Sequence, residues 1–369
     1  MTGAIRLGRR QLLYTPTPKY TLQMKKSAPK FKKASDIKVG VVGYGGAFSM
    51  GRLHLNSMKE AGMTPYAVAE PDKARLAVAA EEFPGIETYA SVTEMLKKSA
   101  VNLVVLITPH NTHAPLALQC LRAGRHVVSE KPLALTTKEC DAMIAAAKKA
   151  GVMLSTYHNR HWDGLILFAL EQLRSGVIGE LVRVEARMGS WGKPGDWWRS
   201  SRSISGGILY DWGVHLLEYT LQLVDSEIVE VTGFAKNGFW AKHTKWKADV
   251  NEDEAQAVVR YKSGVWSSLR MSSIDANPKP GHFEVTGTKG TILAEGGMKV
   301  IVKSETGTTT TQVQSPRDQW EHYYANIAAH LAKGEPLIIT PEWSRRPIHI
   351  IDLAIESAKK GRSLAAKYR

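Results

Sequence analysis

Three residues of this chain are of types, and in places, where proton and hydride chemistry can be done: Lys131, Asp211 and His215. Lys131 follows His126–Ser129, a short β-branched run that reads as a buried strand, and Pro132 fixes the chain direction as it leaves. Ligands bind outside the carboxyl ends of strands in open α/β sheets. An ammonium there can hydrogen-bond a substrate oxygen and stabilise negative charge developing on it. A lone lysine is ordinarily a solvated surface charge, so the position carries this reading and the residue type does not. Asp211 and His215 stand four residues apart behind Gly206-Gly207, so on a helix they share a face. A histidine titrating near neutrality can take the proton of a secondary alcohol as hydride departs, and a neighbouring carboxylate can support its charge or hold hydroxyls. The alternative for that pair is an ion pair that only steadies the helix.

A second constellation lies upstream. Gly43-Tyr44-Gly45-Gly46-Ala47-Phe48-Ser49-Met50-Gly51 joins a strand to a helix. Glycines are needed at such a turn so that backbone N–H groups can approach a pyrophosphate at a helix N-terminus. The third position of the simple G-x-G-x-x-G pattern is Phe48, and the helix-packing glycine is displaced to Gly51, as in an enlarged loop. Glu70 ends the next strand, where a carboxylate accepts hydrogen bonds from ribose hydroxyls. Its charge repels a 2′-phosphate and favours NAD; Lys73 and Arg75 nearby keep NADP as the alternative. The candidate cofactor set therefore includes Gly43, Gly45, Gly46, Ala47, Phe48, Glu70 and Arg75.

The elements that position these residues follow from periodicity. From Ile37, short β-branched runs at 38–43, 64–70, 101–107, 126–129 and 153–157 alternate with helical stretches at 52–61, 72–83, 114–123 and 137–150. Strands separated by helices of that length predict a doubly wound parallel sheet of Rossmann type over residues 37–157. A helix at 165–175 then leads into strand-like runs at 181–188, 228–235, 254–261, 265–271, 282–286, 291–294 and 298–304, with turn signals between several of them. Strands joined by short loops predict a large, mainly antiparallel open sheet in an α+β domain over 158–345. The threonine run at 308–311 reads as an exposed strand, 318–333 as a helix, and 346–369 as a closing C-terminal helix.

The chain has 369 residues and a formal net charge of +14. Nine basic residues precede the first strand against Asp36 alone, so removing that net +8 leaves +6 for the body. The basic excess is largely that of residues 1–36, read as a flexible extension, and argues against nucleic acid as the partner. Met24, before Lys25-Lys26, is an alternative start. No apolar run approaches the ~20 residues that span a bilayer, so no membrane partner is expected. Cys120 and Cys140 make no ligand spacing and suit a reducing, cytoplasmic setting. No metal site is expected.

Three motifs together resemble the Gfo/Idh/MocA family (glucose–fructose oxidoreductase, inositol dehydrogenase, rhizopine catabolism). They are Thr108-Pro109-His110-Asn111-Thr112-His113, Ala123 through Glu130-Lys131-Pro132, and Gly206-Gly207 through Asp211-Trp212-Gly213-Val214-His215. The resemblance runs from about Lys38 to the C-terminus and includes the Gly-Thr-Lys-Gly-Thr hairpin at 287–291. It implies that Lys131 is catalytic, joined by His215 for proton transfer and Asp211 for orienting substrate. It implies that Thr108, Pro109, Asn111, His113 and Glu130 line the nicotinamide half of the cofactor, and that Arg160 reaches cofactor or substrate. Trp191, Trp198 and Arg199, with Tyr157, are the candidates for the substrate pocket; such tryptophans also serve as core or as subunit contacts. The expected activity is hydride transfer between NAD(H) and a secondary alcohol carbon of a sugar, inositol or related polyol. Two alternatives share the same residues: NAD-dependent glycoside cleavage by transient oxidation and elimination, and a non-catalytic dinucleotide-binding regulator. The resemblance also implies a homodimer or homotetramer formed through the second sheet.

Overall fold

The computed structural model describes residues 26–45 and 48–368. Gly46 and Ala47, the Met24 question and most of the basic extension lie outside the described residues.

The first domain is built on β1 (Lys38–Val42), β2 (Thr64–Ala69), β3 (Glu87–Tyr89), β4 (Leu103–Leu106), β5 (His126–Ser129) and β6 (Leu154–Thr156). They form one parallel sheet in the order β3-β2-β1-β4-β5-β6. Helices α1 (Met50–Glu60), α2 (Lys73–Glu82), α3 (Val92–Lys98), α4 (His113–Arg122) and α5 (Thr137–Ala150) connect the strands. Both faces of the central strands are covered, so β4 and β5 are buried throughout, and β4 reads as an unbroken apolar run. The edge strand β3 and helix α3 went unread in the sequence. Glu-Thr-Tyr is a three-residue edge strand with no apolar signal, and α3 is announced mainly by its cap, Ser91 Oγ accepting the Glu94 N–H at 3.2 Å.

The second domain contains α6 (Gly164–Arg174), β7 (Leu181–Gly189), a one-turn α7 (Arg202–Ser205) and α8 (Val214–Leu223). Then follow β8 (Ile228–Lys236), β9 (Glu254–Tyr261), β10 (Trp266–Ser272), β11 (Phe283–Gly287), β12 (Gly290–Ala294), β13 (Met298–Ser304) and β14 (Gly307–Val313). After α9 (Glu321–Lys333) and α10 (Pro341–Lys360), the short β15 (Leu364–Ala365) joins the sheet beside β8. The nine-stranded order is β14-β13-β12-β11-β7-β10-β9-β8-β15, with β7 and β10 parallel and the other neighbours antiparallel. The threonine strand β14 is exposed along nearly its whole length.

Two boundaries differ from expectation. Residues 26–36 are docked: Ser27 N–H donates to Gly334 O at 2.9 Å, Lys30 N–H to Leu331 O at 2.8 Å, and Phe31 meets the His126 ring at 5.8 Å. The C-terminal helix starts at Pro341, because Thr340 Oγ1 accepts the Trp343 N–H at 3.1 Å and proline suits the first helical position; Pro347 then lies inside the helix. The chain end is strand β15, which sequence reading took as helix.

Candidate functional site

A cleft of about 1130 Å³ opens at the carboxyl ends of β1, β2, β4 and β5 and is closed on its far side by the second domain. Ligand pockets run to roughly 300–1,000 Å³, so there is room here for a large extended molecule.

At one end stands the Gly43 turn. Gly43 has φ +94°, and a Cβ on it would lie 2.4 Å from the Ile107 carbonyl, so only glycine passes between β1 and the end of β4. A Cβ on Gly51 would lie 2.5 Å from the Tyr44 ring, which is the helix-packing role expected of the displaced glycine. Glu70 faces the cleft, with one oxygen 2.8 Å from the Tyr44 N–H and the other 3.1 Å from the Asp72 N–H. A carboxylate offers about four lone-pair sites, so capacity remains for two further donors. Arg75 lies on the rim, half exposed, in a loose 3.6 Å pair with Asp72. This cradle fits a dinucleotide: a turn that excludes Cβ, a fixed carboxylate beyond it, and a long cleft leading to the second end.

At the other end stands Lys131. Its ammonium donates to the Asp211 carboxylate and, at 3.2 Å, to the Asp211 carbonyl. Arg199 grips the same Asp211 oxygen at 2.5 Å. Burial works against ionisation of Asp211, yet the Lys131 and Arg199 charges outweigh it and hold the carboxyl well below the usual range. Asp211 sits in a π-helical turn, Leu209–Gly213, that feeds α8, and His215 follows in the second position of α8. Both face the cleft, as the four-residue spacing predicts. No hydrogen bond joins them; the acid serves the cations. The His215 Nδ1 has no partner among the described residues. Burial first, then the charges of Lys131 and Arg160, push His215 well below the ordinary histidine range, so the ring is neutral.

The structure distributes the remaining candidates unevenly. Phe48, Thr108, Pro109, Glu130, Tyr157, Arg160, Trp198 and Arg199 line the cleft. Arg160 stacks on Trp212 at 4.5 Å and pairs with buried Asp163 at 3.0 Å. Arg199 lies over the rings of Phe48, Trp197 and Trp198, joining the glycine loop to the second domain. Asn111 points to solvent and His113 is fully buried outside the cleft, its ring nitrogens 2.7 Å from Pro132 O and 2.9 Å from Thr108 O. The reason is the 3-10 turn His110–Thr112: three residues per turn put positions 110 and 113 on the inner side and 111 on the outer. His110 is the member of that motif that lines the cleft, edge-on to Trp198 at 4.8 Å. Trp191 lies away from the cleft, packed on Phe239 and Trp240. Sequence reasoning missed His54, Trp212 and Trp320; each reaches the site through tertiary packing that no local pattern announces.

Comparison with known proteins agrees with this geometry. The description of an oxidoreductase family with an NAD-binding Rossmann fold, GFO_IDH_MocA, matches residues 37–158, and that of the GFO/IDH/MocA C-terminal domain matches 166–293. The chain belongs to the Gfo/Idh/MocA oxidoreductase family. Within it, the chain is 26% identical to a scyllo-inositol 2-dehydrogenase (NADP(+)) of Bacillus subtilis, over 91% of this chain and 98% of that protein. It is 27% identical to a myo-inositol 2-dehydrogenase of Thermotoga maritima, over 89% of this chain and 98% of that protein. Among solved structures, an NAD-binding protein of Listeria innocua superposes with a TM-score of 0.76 at 26% identity, covering 91% of this chain and 97% of the other. Among the described residues of this Gfo/Idh/MocA member, no cluster of metal-ligating side chains occurs and no helix is long and apolar enough to cross a membrane.

Proposed function

We propose that this protein transfers a hydride between a nicotinamide dinucleotide and a secondary alcohol carbon of a sugar, inositol or related polyol. The observation that carries the reading is the convergence of Lys131, Asp211 and His215 on one wall of a cleft whose other end is the Gly43–Glu70 cradle. The two inositol dehydrogenases named above support the polyol class, and one of them, by its name, uses NADP(+).

In this reading Gly43, Gly45 and Phe48 border the pyrophosphate, and the free lone pairs of Glu70 accept the ribose hydroxyls. Thr108, Pro109 and Glu130 border the nicotinamide end. When bound, the dinucleotide supplies the hydride acceptor or donor. The rest is done by this chain. Lys131, aimed by Asp211 and Arg199, hydrogen-bonds the reacting oxygen and stabilises the charge that develops on it. His215, held neutral by burial and the neighbouring cations, takes the alcohol proton. Trp198, Trp212 and Arg160 wall the substrate side, where indole faces suit the apolar face of a sugar ring. Two buried free thiols, Cys120 and Cys140, suit work in the cytoplasm. The outward face of the second sheet, carrying Val258, Trp266 and Arg183, supports pairing of two copies; light scattering of the purified protein tests it.

The deciding experiment is a panel of inositols, aldoses and their lactones with NAD or NADP, followed by reduced-nicotinamide absorbance. A turnover that no polyol or sugar elicits, together with release of a chromogen from a glycoside, would replace net oxidoreduction by redox-neutral cleavage.

A further inference from the structure

Glu130, next to Lys131 at the end of β5, draws its partners from distant parts of the chain. Its Oε2 accepts the Lys131 N–H at 3.0 Å, and its Oε1 lies 3.1 Å from His54 Nε2 on α1. The other ring nitrogen of His54 lies 2.6 Å from the Tyr324 hydroxyl on α9. His54 has no exposed surface and Tyr324 is 1% exposed. A carboxylate only accepts, so His54 Nε2 carries the proton; Nδ1 is then a lone pair, and the Tyr324 hydroxyl donates to it. A neutral ring satisfies both bonds at once. Tyr157 packs against His54 at 4.4 Å and against Tyr324 at 5.5 Å, so the imidazole has no room to swing.

We propose that His54 and Tyr324 are positioning residues that hold Glu130 as an ionised acceptor facing the cleft, ready for a hydroxyl or amide N–H of the nicotinamide end of the dinucleotide. This rests on reading the cleft as a dinucleotide site.

Physical chemistry gives the pair a task. Burial favours the neutral form of Glu130, and the hydrogen bond from His54, with the Lys131 charge and N–H, reverses that and holds the acid below its ordinary range. A protonated Glu130 would donate where an acceptor is wanted. The titratable groups facing it are His54 from α1, His113 from α4, Tyr157 and His158 after β6, Tyr323 and Tyr324 from α9, and Lys131 beside it. Burial pushes His158 down to about 4, so it gains no charge in mildly acidic solution; His113, lowered by burial, is common to wild type and variants. The tyrosines are pushed upward by the same burial. A pH dependence created by removing the His54 donor therefore belongs to Glu130.

The test is a binding titration of NAD and NADH by quenching of tryptophan fluorescence between about pH 5.5 and 8.5, with thermal unfolding recorded for each variant. The wild-type dissociation constant is expected to stay level on the acid side. In His54→Leu it rises steeply as pH falls, by about tenfold for each unit that the Glu130 pKa is displaced into this window. His54→Gln, whose terminal amide N–H stands near the place of Nε2, restores most of the acid-side affinity, and Tyr324→Phe shows a smaller loss of the same form. A His54→Leu effect equal at every pH, or no rescue by glutamine, overturns the proposal. Should His54→Leu not fold, a pH-independent ratio of Tyr324→Phe to wild type overturns it equally. Wild-type protein that binds neither dinucleotide sinks the reading of the cleft instead.

Discussion

The two ends of the cleft each present a carboxylate, and the two are held by opposite means. Glu70 is fixed by two backbone N–H groups, those of Tyr44 and Asp72. Asp211 is fixed by two cations, Lys131 and Arg199. The first arrangement fixes a shape: it depends on where the chain runs, and the glycine turn beside it depends on the same course. The second fixes a balance of charge, and it lies against a neutral histidine. The difference predicts that substitutions at the Glu70 end change affinity for the dinucleotide, whereas substitutions at the Asp211 end change turnover.

Lys131→Ala should break the comparison most severely. It removes the donor to the reacting oxygen and leaves Asp211 paired with Arg199 alone. A loss of about 10³-fold in kcat is expected, in the range for removal of a preorganised donor, with dinucleotide affinity within a few fold of wild type. Fluorescence titration beside steady-state kinetics separates the two. A large loss of dinucleotide binding with kcat intact would mean that Lys131 belongs to the affinity end.

His215→Asn should follow, with kcat reduced by about 10²-fold as for a lost general base. The pH profile gives a sharper reading. A base must be unprotonated, and His215 is held well below the ordinary histidine range by burial and by the charges of Lys131 and Arg160. Its neutral form therefore persists as pH falls through the region where an ordinary histidine gains its proton. Oxidation by wild type should show no acid limb near the usual histidine value, and any limb from His215 should lie lower. An acid limb near 6.5 that disappears in His215→Asn would refute the assignment of a depressed base.

How far each end was legible in the sequence follows the same division. The Gly43 end is local: strand, glycine turn and helix are contiguous, and Glu70 lies one strand away, so residue spacing and the φ requirement of the turn are enough to anticipate it. Gly51 as the packing glycine is of that kind. The Lys131 end joins residues eighty apart, and only the family's motifs brought Lys131 and Asp211 together. Their relation to each other was not legible: Asp211 was expected to orient substrate, and its carboxylate accepts from Lys131. The choice of Asn111 and His113 over His110 came from reading a motif without its 3-10 phase. Trp191, grouped with Trp198 by proximity in the chain, belongs to a separate aromatic cluster. His54 carries no sequence signal because its meaning depends on Glu130 and Tyr324, which fold against it from far along the chain.

Gly43→Ala tests the shape end. The new methyl would meet the Ile107 carbonyl at 2.4 Å in a backbone conformation with φ +94°. Strain of this kind costs about 1–3 kcal/mol, and relief by shifting the turn moves the backbone away from the pyrophosphate. The dissociation constant for NAD should rise about tenfold or more, while kcat at saturating dinucleotide stays close to wild type. Equal losses in both would show that the two ends are mechanically coupled.

The smallest effect is expected at Arg75, and it sharpens what the Glu70 end discriminates. The Arg75 guanidinium is half exposed, and its 3.6 Å approach to Asp72 is too long for a hydrogen bond, so it is free to meet an added phosphate at the rim. Glu70 faces the same place with a negative charge fixed by backbone amides, and it cannot turn away without breaking both hydrogen bonds. The two oppose each other over a 2′-phosphate: the fixed carboxylate repels it, and the flexible cation offsets part of that repulsion. An exposed charge pair contributes about 0.2–1 kcal/mol, so Arg75→Ala should lower kcat/KM for NADP by roughly two- to fivefold and leave NAD nearly unchanged. Removing the carboxylate in Glu70→Ala should move the ratio the other way, through weaker use of NAD. Steady-state kinetics with both dinucleotides decide it: if Arg75→Ala depresses NAD and NADP equally, the arginine supports the turn and does not read the phosphate.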